Sequence, residues 1–411
     1  MDLKPKLTEK NFYVVFAFVT SLFMLWGIAI TMGDVLNRHF QSVLSVSKAD
    51  SGLVQFSIFG AYAVMGIPAG LFMKKFGYKN GVLLGLFLYA VGAFLFVPAS
   101  NAESFTFFRI ALFILACGLA TLETVAHPFV ASLGDQRTSD QRVNFAQTFN
   151  GVGAVIGPLI GKFFVFGGAF AAMGGLISVK ILYVVIGSVI TLIGLCFAFV
   201  KVPPLTDPHV IATDTYAIGE EIHVEKSLFQ RKHFVFAAIA QFFNVAAQGG
   251  TWAFFLNYGH DIMGMTDGEA SGYFSASMVM MIAGRAVGTG LMPYIKPYKL
   301  LAIFAACSIT MCLIIAQAWG WTSFIALICL NFFFSIMFPT IFSLGLKDLG
   351  KKTQQGSSFI VMGVVGGAVF PYLMGKVANH SVAHAYYLPI ICYSVIFFFG
   401  YLYPKLNKQS A

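Results

Sequence analysis

The chain has 411 residues, of which 58% are hydrophobic and only 10% charged. A water-soluble domain carries about 25% charged residues, so this composition excludes a soluble globular protein and predicts one embedded in a bilayer. The net charge of +9 suits loops that face anionic lipid headgroups, and nucleic acid is not an expected partner.

Twelve apolar runs follow one another along the chain, at 12–37, 51–73, 80–98, 105–132, 142–166, 178–200, 233–258, 268–293, 299–318, 321–346, 355–376 and 384–403. Each approaches the length of about 20 residues that a helix needs to cross hydrocarbon. The first run is too long for a signal-peptide core and no small-residue cleavage site follows it, so it is expected to remain in the mature protein. Lysine and arginine gather in alternate loops, at Lys4, Lys6 and Lys10, at Lys74, Lys75 and Lys79, at Arg137 and Arg142 after the fourth run, and again at Lys347, Lys351 and Lys352, Lys405 and Lys408. Such residues are retained on the cytoplasmic side. The pattern predicts a multi-pass protein of the cell (inner) membrane with both termini in the cytoplasm.

The longest polar interruption, 201–232, contains Pro203, Pro204 and several acidic residues. It divides the chain into an N-terminal half (1–200), a cytoplasmic linker (201–232) and a C-terminal half (233–411). The halves repeat. The segment 70-GLFMKKFGYK-79 corresponds to 290-GLMPYIKPYK-299, 128-PFVASLG-134 to 339-PTIFSLG-345, and 153-GAVIGPLIGK-162 to 367-GAVFPYLMGK-376. Three pairs in one order at a nearly constant offset predict an all-α membrane protein of twelve transmembrane helices in two pseudo-symmetric six-helix halves. Many secondary transporters are built this way, with the substrate between the repeats near the bilayer midplane.

Few ionisable residues fall within the apolar runs: Asp34, Arg109, Glu123 and Arg285, with His127 beside them and Asp261 at an edge. A charge there costs about 2.5 to 3.5 kcal/mol on insertion scales, so it is paired, neutralised or in contact with water, and it marks function by default. Glu123 lies near the middle of the fourth run, where a carboxyl that loads and releases a proton would sit; the plainer reading is a structural Glu capped by His127 four residues on. Asp34 lies roughly 12 Å beyond the middle of the first run, at 1.5 Å per residue. It reads equally as a proton-linked group or as a helix-end charge paired with Arg38 at i+4. Arg109 and Arg285 read as ion-pair or snorkelling residues. His127 precedes Pro128, which removes a backbone donor, so a local kink and a proton relay are both open.

Gln147 and Asn150 in the fifth run, Gln241, Asn244 and Gln248 in the seventh and Asn331 in the tenth offer amide donors and acceptors to hydroxyl groups. Trp26 and Trp252 offer flat apolar faces to a sugar ring. The same amides also serve as helix-to-helix hydrogen bonds. All six cysteines lie in apolar runs, so no loop disulfide and no metal site is expected. No phosphate-binding glycine loop and no cofactor motif is present. The one enzyme-like pattern is His209 with Asp214 in the linker.

The segments 21-SLFMLWG-27, 68-PAGLFMKKFGYKNG-81, 122-LETVAHPFV-130, 146-AQTFN-150, 338-FPTIFSLGLKDLG-350 and 356-GSSFIVMGVVGGAV-369 together resemble the fucose, galactose and glucose proton symporter family of the major facilitator superfamily, nearly end to end. The resemblance implies the major facilitator fold and import of a monosaccharide, of the fucose, galactose, glucose or N-acetylhexosamine class, together with a proton. It also implies one proton-linked carboxylate in the first helix and one in the fourth, at Asp34 and Glu123. Glu123 would also bind sugar, along with Gln147, Asn150, Asn244, Gln248, Asn331, Trp26 and Trp252. Gly33 and His127 stand where the family pattern has asparagine, and such departures bear on substrate choice. The expected partners are a sugar, a proton and the bilayer, and the expected state is a monomer. The competing readings are sodium-coupled sugar uptake, drug efflux, and a membrane-embedded acyl-transfer enzyme using His209.

Overall fold

A computed structural model describes residues 7–135, 138–167, 174–202, 227–292, 294–347, 349 and 353–408. Most of the linker, including His209 and Asp214, lies outside the described residues. All regular structure among the described residues is helical. Among the described residues, ten helical stretches are long and apolar enough to cross a membrane. One of them, Lys48–Asn101, is long enough for two crossings. It is broken at Gly77, whose φ of 82° is open to a residue without a Cβ. A further helix, Lys232–Ala253, carries Gln241, Asn244 and Gln248, which lower its hydropathy. These two observations bring the crossings to twelve.

The helices are α1 (Tyr13–Val43), α2 and α3 (the run Leu53–Phe94, parted at Gly77) and α4 (Phe105–Ala131). Next come α5 (Ser139–Ile160, continued by a π turn at Gly161–Val165), α6 (Gly175–Phe199) and α7 (Lys232–Ala253, continued by Phe255–Asp261). The last five are α8 (Asp267–Leu291), α9 (Pro297–Ala316), α10 (Trp321–Phe334 and Met337–Leu346), α11 (Thr353–Met362 and Gly366–Ala378) and α12 (Leu388–Lys408). Two of their starts carry side-chain caps. Ser104 accepts the Phe107 amide at the head of α4, and α8 opens with a capping box between Thr266 and Glu269, satisfying amides that a helix start leaves without partners.

By internal contacts the chain forms two compact units, one of residues 1–30, 64–157 and 176–224, the other of residues 31–63, 158–175 and 225–411. In the first, α4 is the central element: Leu112, Leu115, Ala116, Leu119, Val125 and Phe129 are buried along it. Small residues let the backbones meet, as is usual where lipid supplies no hydrophobic drive between helices. Gly27 of α1 faces the Asn150 carbonyl and Gly153 of α5 faces the Met24 carbonyl, each so closely that an added methyl would collide. Past Gly77, the Lys79 ammonium donates to the Ala198 and Val200 carbonyls at 2.7 and 2.9 Å, closing the last turn of α6 with a cation where the helix dipole is negative. The large hydrophobic side chains left exposed, such as Phe87, Leu192 and Phe199, are those that face lipid.

In the second unit α7 packs on α11 and α12, α9 on α10 and α12, and α8 on α10. Gly366 of α11 faces the Phe242 carbonyl of α7 at a distance that excludes a Cβ, the counterpart of the α1–α5 crossing one repeat earlier. The later part of α1 and the start of α2 belong to this unit. Arg38 pairs with Asp267 at 2.8 Å and Lys48 with Asp261 at 2.5 Å. The Asn37 amide donates to the Ala253 carbonyl at 2.7 Å. The Ser271 hydroxyl donates to the carbonyl of Pro158 at 2.7 Å.

Candidate functional site

Within the first unit, Glu123 lines a small cleft formed by Leu22, Phe23 and Trp26 of α1, Leu122, Ala126 and His127 of α4, and Gln147 of α5. The i, i+4 spacing of α4 puts Glu123 and His127 one above the other on its face toward α1 and α5. The His127 imidazole does not cap the Glu123 carboxylate. Its Nδ1 lies 2.9 Å from the Glu123 backbone carbonyl, and its Nε2 lies 2.8 Å from Nε2 of Gln147. A carbonyl only accepts, so Nδ1 carries the hydrogen; an amide nitrogen only donates, so Nε2 carries the lone pair. His127 is therefore held as one neutral tautomer between α4 and α5, with the edge of Phe23 against it at 5.0 Å between centroids. Pro128 lies within a continuous α4.

Asn150, one turn beyond Gln147, donates to the Phe23 carbonyl at 3.2 Å. It braces α1 beside Gly27 and is itself buried. Trp26, Glu123 and Gln147 are thus brought together around one cleft, while Asn150 is engaged by the α1 backbone.

The second unit holds the remaining predicted residues. Asp34 is 2% exposed and accepts from the Gln55 amide at 2.5 Å, so its partner is a neutral side chain of α2 and not Arg38, which goes to Asp267. Trp252 and Asn331 form a pair, with the indole Nε1–H donating to the Asn331 carbonyl at 2.8 Å, while Phe334 stands against the indole at 5.9 Å. Asn244 is buried, and among the described residues neither of its amide atoms meets a hydrogen-bond partner; the same is true of Gln241 one turn earlier. Gln248 is half-buried. Arg285 reaches the Ser335 carbonyl at 3.4 Å; in the first unit, the Arg109 guanidinium lies over the Phe105 ring at 5.8 Å.

Two residues escaped the sequence reading. Gln55 sits in an apolar stretch of α2 with nothing local to mark it. Arg142 reads as a loop charge, yet it is fully buried and donates to the Val130, Leu7 and Asp135 carbonyls and to the Thr138 hydroxyl, as well as to the Ala131 carbonyl. It ties the end of α4 to the start of the chain. Its adjacency to the polar turn after α4 was the one available signal. Among the described residues no group of three or more potential metal ligands occurs.

The family model of the Major Facilitator Superfamily matches residues 12–371. The chain belongs to that superfamily. It is 37% identical to the L-fucose-proton symporter of Escherichia coli (strain K12), over 98% of this chain and 95% of that protein. It is 32% identical to a glucose/galactose transporter of Brucella abortus, over 97% and 96%. Among solved structures it is similar to the major facilitator transporter FucP in the outward conformation, with a TM-score of 0.68 at 35% identity over 96% of this chain and 99% of that one. A D-xylose-proton symporter superposes with a TM-score of 0.75 at 14% identity, a likeness of fold alone. The chain is a multi-pass membrane transporter of the major facilitator fold, in the branch that includes the fucose and glucose/galactose carriers, and not an enzyme.

Proposed function

We propose that the protein imports a monosaccharide of the fucose, galactose or glucose type together with a proton, by alternating access of the two repeated halves, 1–200 and 233–411, joined by the linker 201–232. The observation that carries this reading is the cleft around Glu123, in which a carboxyl deep within a membrane helix shares a small space with the Trp26 face and the Gln147 amide. A sugar ring needs such a set, with a flat apolar wall and directional polar groups for its hydroxyls. A carboxyl is the one member that exchanges its charge for a proton. Glu123 therefore carries the coupling, binding a sugar hydroxyl in its protonated form and giving up sugar and proton together. Asp34 is the second proton-linked carboxyl. Asn150, Asn244, Gln248, Asn331 and Trp252 complete the sugar contacts as the halves move.

The protein works as a monomer in the cell (inner) membrane with both termini in the cytoplasm. The names of relatives support transport of a sugar with a proton, since an L-fucose-proton symporter is 37% and a glucose/galactose transporter 32% identical to the chain. Sugar added to lightly buffered vesicles holding the protein should make the external medium more alkaline, in step with sugar uptake. Uptake that follows a sodium gradient with no pH change would overturn the proton coupling.

A further inference from the structure

The cleft contains one polar group that the sugar-and-proton scheme leaves without a role, the imidazole of His127. Its two nitrogens are both committed, Nδ1 to the Glu123 carbonyl at 2.9 Å and Nε2 to Gln147 Nε2 at 2.8 Å. The second contact orients the Gln147 side chain. An amide has distinct ends, and with its N–H₂ turned to the imidazole its carbonyl oxygen is the end left for another partner. Were the ring protonated, Nε2 would present a hydrogen to the amide nitrogen, and the carboxamide would have to turn over or withdraw.

We propose that His127 is a positioning residue that sets sugar affinity through Gln147: the neutral ring turns the Gln147 carboxamide oxygen into the cleft as an acceptor for a sugar hydroxyl, and a protonated ring removes it. This rests on the function proposed above. The groups that face His127 are few. α1 presents Phe23 and Trp26, neither of which titrates in this range; α5 presents Gln147; and α4 itself presents Glu123. The nearest fixed charge on α5 is Arg142, engaged by the carbonyls of Val130 and Ala131 beyond the end of this site. Glu123 is thus the one other titrating group of the cleft, and its effect on affinity has the opposite sign, since its protonated form is the one that accompanies sugar in a symport cycle.

The test removes Glu123 from the titration. Binding of L-fucose, D-galactose and D-glucose is measured by calorimetry on the purified full-length protein carrying Glu123→Gln, from about pH 8 to about pH 5, the range in which imidazoles change charge. Affinity for the bound sugar should fall about fivefold toward acid, the size of one ordinary net hydrogen bond. Adding His127→Phe should give that weakened affinity at every pH. Adding His127→Gln, whose side-chain oxygen reaches to the place of Nε2 and does not titrate, should restore affinity without the pH slope. Combining Gln147→Leu with His127→Phe should cost no more than Gln147→Leu alone, because the two residues act as one unit.

A role confined to bending α4 at Pro128 would lower the unfolding midpoint of His127→Phe while leaving the pH slope in place, and that result overturns the proposal. So does a flat affinity in Glu123→Gln itself, even where wild-type vesicles take up sugar and protons together; that outcome leaves the symport reading standing. Wild-type protein that binds none of the three sugars would overturn both.

Discussion

At the scale of single residues, the two intramembrane carboxyls have different surroundings. Glu123 lines a cleft with a flat aromatic wall, whereas Asp34 is enclosed and accepts from the Gln55 amide. An uncompensated charge at such a place costs several kcal/mol, so each carboxyl is held by partners or by a proton. Glu123→Gln should keep sugar exchange across vesicles already loaded with sugar, since an amide still hydrogen-bonds hydroxyls, and should lose accumulation against a gradient by an order of magnitude or more. Uphill, pH-sensitive uptake at the wild-type level would sink that assignment. Asp34→Asn should reduce proton-driven uptake well beyond any change in equilibrium sugar binding, because Asp34 already spends an oxygen on Gln55. Calorimetry on the variant gives the binding arm, and an equal loss in both would make Asp34 a sugar ligand instead.

Single helices and their crossings show how the chain spends its small residues. Gly153 lies against the Met24 carbonyl and Gly27 against the Asn150 carbonyl, so α1 and α5 touch backbone to backbone beside the cleft. A methyl at Gly153 meets main chain, which has no rotamer to give. Gly153→Ala should therefore cost about 1–3 kcal/mol as overpacking, read as a lower thermal midpoint in detergent. It should also weaken sugar binding by parting Trp26 from Gln147. Gly77→Ala is a case of a different kind: space is open there, and the cost, about 1–3 kcal/mol, comes from the backbone, whose φ of 82° and ψ of 169° lie in a region essentially reserved for glycine.

For the whole molecule, the repeat is closer in backbone than in chemistry. The glycine crossing of α1 with α5 recurs in α7 with α11, but aligning Pro128 with Pro339 sets Phe334 opposite Glu123. Phe334 is buried against Trp252, and the second half has no matching carboxyl there. The function proposed above then assigns proton chemistry to the first half and much of the sugar discrimination to the second. Substitutions such as Asn244→Ala, Gln248→Ala or Asn331→Ala should change the ranking of sugars taken up by about tenfold, on the order of one or two hydrogen bonds each, while the dependence of the remaining uptake on external pH stays as in the wild type. Uptake measured against pH for several sugars checks this. A pH profile displaced as far as that of Glu123→Gln would end the division of labour.

The sequence by itself determined the number of crossings, the duplication and the place of Glu123 within its run, because each follows from run length, local identity and the cost of charge in hydrocarbon, all readable along one strand of text. Only tertiary structure decided the partners. Asp34 had Arg38 four residues away and took Gln55 of α2 instead; His127 had the Glu123 carboxylate within reach and took its carbonyl and Gln147; Arg142 turned from a loop into the core of the first unit. The physical reason is common to all three. In a membrane helix the face toward lipid is as apolar as the face toward protein, so the periodicity that reveals a buried face in a soluble helix is flattened. The rotation and register of each helix are then set by where backbones close on glycine and where a polar side chain finds its partner on another helix, and those are properties of the packed set rather than of any one run.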